Sequence, residues 1–220
     1  MMSRKKHTAE ISILSWNIHD SMDSNEGPKN DDKEFIEQLA ASKIFCLQET
    51  KESFSLPDYK CFNSLRKDSR SGGLCIGVHR SMEDCIKTVE IDSPDIQALT
   101  LRLDIGNESK NLSIINVYDS PEHGSYKKRK KQGTPDFVTT IGSLMDVMAA
   151  NKDLGEIYLT GDFNARTGSE NHEITETDDE ELLNQVNNDL SHPTTSNRTS
   201  KDVVLNKRGK EFLDFLASTN

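Results

Sequence analysis

Apolar matter is scarce in this chain. Only 33% of its 220 residues are hydrophobic and 6% are aromatic, which is low against the usual apolar share of a globular domain. A domain of this length can bury a sizeable core, so the deficit reads as a loop-rich or incomplete domain. No apolar run approaches the twenty or so residues of a membrane span, and Met1 to Glu10 is polar and basic, unlike the apolar core of a signal peptide. The four cysteines, at 46, 61, 75 and 85, show no Cys-x-x-Cys spacing. A zinc site and a disulfide framework are therefore not expected. Cys46 and Cys75 lie in apolar runs, where a free thiol behaves as a small hydrophobe. Excess positive charge is also missing: the formal net charge is -10. Nucleic-acid binders usually carry a basic balance. The signs are segregated, however, with Lys127, Lys128, Arg129, Lys130 and Lys131 in one run and acids from Glu173 to Glu181 in another. A local basic patch can grip phosphates on an acidic protein; the same run also reads as a solvated loop or a nuclear import signal.

Three short apolar runs each stop at an oxygen-bearing polar residue. Ile157-Tyr158-Leu159-Thr160-Gly161 delivers Asp162 and Asn164, Ile11 to Trp16 delivers Asn17, and Ile44 to Gln48 delivers Glu49. Side chains two apart on extended chain share a face, so Asp162 and Asn164 are predicted to point into one cleft. Gly161 suits a close approach by backbone or ligand. Any one of these ends could be an Asx-rich turn, an ion pair or a cap. Together they resemble a ligand site at the carboxyl ends of strands. Carboxylate and amide oxygens are hard donors that suit magnesium or manganese.

Strands are predicted over 10–18, 43–48, 73–79, 85–91, 96–105 and 112–118, with another leading to Asp162 and a short one near Tyr59. Helices are predicted over 31–41, with Phe35, Ile36 and Leu39 on one face, and from Thr134-Pro135 to about Asn151, with Phe137, Ile141, Leu144, Met145 and Met148 inward. A last helix starts near Lys207. The acidic, polar stretch 167–202 is too long for an ordinary connection. The mixture of strand pairs and helices predicts an α/β protein with packed sheets and helices outside.

Trp16-Asn17, Leu47-Gln48-Glu49-Thr50, Asn116-Val117-Tyr118 and Gly161 to Arg166 (Gly-Asp-Phe-Asn-Ala-Arg) resemble the motifs of the endonuclease/exonuclease/phosphatase superfamily. Within it, the chain from Ile11 to Asn220 is most similar to the apurinic-type endonuclease domain of non-LTR retrotransposons. Asn197 to Asp202, Asn206 to Gly209 and the helical segment Phe212 to Leu216 carry that second likeness. The resemblance implies a four-layer α/β sandwich over 10–220 behind a disordered 1–9. It also implies Mg2+ (or Mn2+) on Asn17 and Glu49, with Tyr118, Asp162 and Asn164 as the catalytic groups. DNA is the implied partner, with Lys127, Lys128, Arg129, Arg198 and Asn206 as candidate contacts. Arg198 and Asn206 equally suit ordering of their own loop.

Two departures qualify this. The family's Ser-Asp-His triplet has no counterpart, since no Asp-His pair occurs anywhere in the chain. The expectation is a domain truncated at its C-terminus and weak or inactive as an enzyme, because one transition-state donor typically carries about a hundredfold in rate. His172 and His192 lie in the polar stretch and read as solvated. The second departure is His19, where relatives place an acid after the Trp-Asn pair. Two other readings share the fold: a phosphatase or phosphodiesterase acting on a non-DNA substrate, and a non-catalytic relic or interaction fragment. The expected location is intracellular, with nuclear entry open through the basic run, and no membrane or disulfide partner is expected. The sequons at Asn107, Asn111 and Asn197 then read as chance matches.

Overall fold

The computed structural model describes residues 11–19, 22–23, 27–29, 32–66, 72–105, 108–120, 137–152, 155–168 and 204–218. The chain divides into two compact units, Met1–Asn164 and Ala165–Asn220.

The first unit holds two mixed four-stranded sheets. One has the order β1-β4-β6-β5, from β1 (Ile13–Asn17), β4 (Ile44–Gln48), β5 (Tyr59–Ser64) and β6 (Leu74–His79). The other has the order β10-β9-β8-β7, from β7 (Ile86–Ser93), β8 (Ile96–Ile105), β9 (Glu108–Tyr118) and β10 (Glu156–Asp162). A two-stranded ribbon, β2 (Met22–Asp23) with β3 (Gly27–Pro28), follows β1. Each main sheet contains one parallel pair, β1 with β4 and β9 with β10. Parallel neighbours need a crossover, and a helix supplies each: α1 (Lys33–Ala40) and α2 (Phe137–Lys152).

Residue alternation along β4 sorts the core into layers. Ile44 and Cys46 pack with Ile76, Val78, Leu99, Leu101 and Ile114 between the sheets. Phe45 and Leu47 point the other way, onto Phe35, Leu39, Phe54 and Tyr59 under α1. Every residue of β4 is buried, as befits a strand covered on both faces. Burial pushes the Cys46 thiol up to about 12, so it stays a protonated hydrophobe there. α1 is capped by Asp32, whose Oδ1 accepts from the backbone N–H of Glu34 (2.9 Å) and Phe35 (3.2 Å); a cap of this kind contributes about 1 kcal/mol. On the far side α2 packs against β8 and β10. Helix, sheet, sheet and helix make the predicted four-layer α/β sandwich.

The structure departs locally from the pattern reading. α2 turns Phe137, Thr140, Leu144 and Val147 inward, while Met145 is 43% exposed and Met148 is half-buried. Both stripes fit a helical period, and packing against the sheet selects the one with the smaller side chains. The candidate near Tyr59 is a full six-residue strand, because its pairing with β6 supplies what a weak apolar pattern did not. A 3-10 turn over Arg80–Cys85 delays β7 to Ile86. Pro135 and the long polar stretch 169–203 lie outside the described residues.

A buried amide pair ties the two sheets together behind their carboxyl ends. Gln48 Nε2 donates to Asn116 Oδ1 at 2.7 Å, and Asn116 Nδ2 donates to the Leu47 carbonyl at 3.1 Å. Both residues are essentially inaccessible. Asn116→Leu keeps the volume but removes both of these bonds, each worth about 1 kcal/mol, while Gln48 Nε2 retains Ser15 Oγ at 3.2 Å and the Cys46 carbonyl at 3.1 Å. Urea unfolding should show a loss of about 2 kcal/mol; a change inside experimental scatter would mean the pair does not couple the sheets.

In the second unit, an isolated bridge joins Thr167 to Leu205, and α3 (Lys207–Ser218) follows. Asn206 Oδ1 accepts from the backbone N–H of Gly209 (2.7 Å) and of Arg166 (3.3 Å). This is helix capping combined with loop ordering. α3 turns Leu213 and Phe215 inward, and Gly209 lets the Arg166 carbonyl approach where a Cβ would sit 1.9 Å away.

Candidate active site

The carboxyl ends of β1, β4, β9 and β10 meet at one rim of the first unit. Register sets this up: Asn17 pairs with Gln48 across the β1/β4 ladder, and Asp162 pairs with Tyr118 across β10/β9. β1 and β4 both lie against β10 across the sheet interface. The four strands therefore deliver Asn17, Glu49, Tyr118 and Asp162 to a common place.

Asn17 is the hub. Its Nδ2 donates to Glu49 Oε1 at 2.9 Å and to Asp162 Oδ2 at 2.7 Å, bridging 32 and 145 residues of sequence. Its Oδ1 accepts from the His19 backbone N–H at 3.0 Å. These partners determine the amide's orientation, since only the nitrogen can serve two carboxylates. Two carboxylates thus flank one amide, whose partial positive charge stands between them.

The backbone is bent to achieve this. Glu49, the first residue past β4, takes φ +58° and His19 takes φ +62°. Left-handed conformations cost a non-glycine residue on the order of 1–2 kcal/mol. Here the Lys51 and Thr50 amides are tied to the carbonyls of Gly72 (2.8 Å) and Gly73 (3.2 Å), which hold the loop after Glu49 in place. The Glu49 side chain is 14% exposed and lies 3.7 Å from the His19 imidazole, itself on the surface.

Tyr118 is buried, and its hydroxyl donates to the Glu49 carboxylate. Burial, then Glu49 and more weakly Asp162, raises the phenol well above its ordinary range, against a lowering contribution from Arg66. It is therefore a neutral donor throughout the physiological range. Arg66 packs its guanidinium over the Tyr118 ring, 5.6 Å from the centroid.

Asp162 ends β10. Its Oδ1 accepts from the Asn164 N–H at 2.9 Å, and its own carbonyl accepts from Asp119 N–H at 2.8 Å. Asn164 lies past the strand with φ +46°, so the two-residue period that predicted a shared face no longer applies. Its Nδ2 donates to the Asp119 carbonyl at 2.6 Å. The structure thus gives Asn164 a place beside Asp162, engaged in shaping the turn that aims the carboxylate. Gly161 serves backbone approach: at φ +136° its missing Cβ would stand 2.0 Å from the Val117 carbonyl oxygen.

Lys127, Lys128, Arg129 and Arg198 lie outside the described residues. Asn206 belongs to the second unit, where its side-chain oxygen caps α3. Sequence reasoning passed over Arg66 and Asp95, a buried ion pair with Nη2 to Oδ1 at 2.5 Å and Nε to Oδ1 at 2.7 Å. The Gly72-Gly73 pair was the available hint that the backbone closes tightly around that loop. Among the described residues, no three side chains drawn from His, Cys, Asp and Glu form a metal-holding group. The oxygen set here is one of carboxylate plus amide.

No family model matches the chain, and no curated protein matches it. Solved structures do. The catalytic domain of Xenopus laevis APE2 aligns with TM-score 0.50 at 19% identity, over 80% of this chain and 67% of that one. Caenorhabditis elegans TDP2 aligns at 0.43 and 19%, over 75% and 51%, and the Neisseria 3' phosphatase NExo, solved with a product DNA hairpin, at 0.47 and 19%, over 72% and 60%. The chain spans about two thirds of the APE2 domain and about half of the TDP2 structure. With both sheets, both crossover helices and the rim of strand ends in place, the chain has the fold of the endonuclease/exonuclease/phosphatase superfamily.

Proposed function

We propose that this chain is a divalent-metal-dependent phosphodiester hydrolase whose substrate is DNA, derived from the nicking endonuclease domain of a non-LTR retrotransposon. The observation that carries the reading is the Asn17 amide held between the Glu49 and Asp162 carboxylates, at 2.9 and 2.7 Å, on the rim of a superfamily fold. The Gly-Asp-Phe-Asn-Ala-Arg and Asn-Arg-Thr-Ser segments favour DNA.

The residues fit a hard cation. Mg2+ keeps several waters and asks the protein for only one or two carboxylates. Glu49 would hold it through its carboxylate and Asn17 through Oδ1, the oxygen that otherwise accepts from His19 N–H, and when bound it would supply charge neutralisation at the phosphate. The chain's own groups do the rest. Asp162 accepts a proton from the attacking water; both of its oxygens are oriented by donors, so the carboxylate is held rather than free to rotate. Tyr118, protonated at working pH, would turn its one O–H from Glu49 to a phosphate oxygen when substrate binds. Asn164 fixes the turn that carries Asp162. The basic run at 127–131 is the element that would meet the DNA backbone and admit the protein to the nucleus.

Two measurements on purified chain test this together. Mg2+ at about ten times its Kd should stabilise the fold by about 1.4 kcal/mol, a rise of about 3 °C or more in Tm, and Glu49→Gln should lose that rise. Supercoiled plasmid should be nicked slowly with Mg2+ and not with chelator. Absence of any Mg2+-dependent shift would overturn the reading in favour of a non-catalytic relic. Hydrolysis of phospholipid headgroups without plasmid nicking would move it to a non-DNA substrate.

A further inference from the structure

Arg66 and Asp95 make an ion pair with side chains 8% and 3% exposed, and nothing in the proposed reaction uses it. A buried pair between charged groups is weak evidence for stability, because desolvation offsets most of the attraction. Burial indeed raises the Asp95 carboxyl despite the partner at 2.5 Å. Such a pair is worth asking about when it touches a functional group, and this one touches Tyr118 twice. The guanidinium carbon sits 5.6 Å from the Tyr118 ring centroid, and the Asp95 backbone carbonyl accepts from the Tyr118 N–H at 3.0 Å.

The remaining geometry is equally specific. Both Arg66 bonds go to the same oxygen, Asp95 Oδ1, through Nε and Nη2. Arg66 Nη1 is buried and has no hydrogen-bond partner among the described residues. One edge of the guanidinium is thus held by Asp95, and its face is left to the aromatic ring, an arrangement arginine makes and lysine cannot. Gly72, at φ +87°, clears the space: a Cβ there would stand 2.9 Å from Arg66 Nε. The carbonyl of the same glycine accepts from Lys51 N–H, two residues past Glu49. The pair is consequently packed against the segments that present both Tyr118 and Glu49.

We propose that Arg66, clamped by Asp95, is a positioning residue that holds the Tyr118 ring so that its hydroxyl points at the phosphate site. The inference rests on the hydrolase reading for its consequence in catalysis, but the positioning itself can be measured without any substrate. Arg66 needs no contact with the reacting atoms. It acts by restricting one ring, and its positive charge counters the two carboxylates that face the same phenol.

The test uses the full chain with tyrosines labelled at Cζ with carbon-13 and Tyr118 assigned through Tyr118→Phe. Arg66→Lys retains the charge and a partner for Asp95 but loses the planar face. The Arg66→Met/Asp95→Asn double variant removes both charges, so that no buried carboxylate is left unpaired if the lysine variant fails to fold. In a folded variant the Tyr118 resonance should move at neutral pH. That of Tyr59, whose hydroxyl is anchored to the Leu39 and Ser42 carbonyls, should stay. An unmoved Tyr118 resonance overturns the proposal, whether or not the chain nicks DNA. A moved resonance in a chain that shows no nicking upholds the positioning and counts against the hydrolase reading instead. Where nicking is measurable, Arg66→Lys should lower kcat roughly tenfold with KM little changed, and should lower it no further in a Tyr118→Phe background. Multiplying losses in the double variant would show that Arg66 acts by another route and would overturn the proposal.

Discussion

Asp162→Ala is expected to remove metal-dependent nicking, with the rate falling roughly 10²–10⁴-fold, the usual contribution of a positioned general base. The magnitude follows from how the side chain is held. Asn17 Nδ2 occupies one oxygen at 2.7 Å and the Asn164 N–H the other at 2.9 Å, so no neighbouring carboxylate can swing in to replace it. Glu49 is committed to the far side of Asn17 and to the Tyr118 hydroxyl. The fold should survive, because removing one of two carboxylates around a single amide relieves like-charge repulsion even as it leaves the Asn164 N–H without its acceptor. The measurement is single-turn conversion of supercoiled plasmid with long incubations, alongside a melting curve for each protein. A rate within tenfold of the parent chain, in a variant that melts normally, would show that the proton is taken elsewhere.

Gly161→Ala should produce a large stability loss, because contact and backbone angle both oppose a side chain there. The residue pairs with Val117 in the parallel β9/β10 ladder. A Cβ at this position would meet Val117 O at 2.0 Å and Val117 N at 2.7 Å, both backbone atoms that cannot step aside as a side chain would. Its φ of +136° is in addition closed to an L side chain. Strain and strand displacement together should cost about 3 kcal/mol or more, read as a shifted urea midpoint. The cost should reach function too. Asp162 is the next residue, so a β10 that retreats from β9 draws the carboxylate away from Asn17. A variant as stable as the parent would mean that β10 does not run in the register described.

What could be read from residues alone divides cleanly by range. Strand ends were legible because an apolar run that stops at a lone amide or carboxylate stands out; Asn17, Glu49 and Asp162 were singled out this way, and the structure places both carboxylates within hydrogen-bonding distance of the Asn17 amide. α1 was legible because Phe35, Ile36 and Leu39 state one face within five residues, while the Asp32 cap emerged only from the structure. The α2 face was ambiguous because Met145 and Val147 both fit the helical period, and only the sheet beneath could choose. Asn164 comes to lie beside Asp162 by a turn rather than by strand alternation, since it stands two residues past the end of β10 with a left-handed backbone.

By itself the sequence determined the succession of strands and helices along the chain and the three oxygen-bearing ends, since each depends on local period or on a residue type where a run terminates; the four layers came only through the family resemblance. Tertiary structure alone decided that those ends share one rim, that Gln48 and Asn116 lock the sheets behind it, and that Arg66 lies on Tyr118 with Asp95 beneath. These contacts join residues separated by 29 to 145 positions. Whether such partners meet depends on strand register and sheet packing, and no local pattern of side chains encodes either.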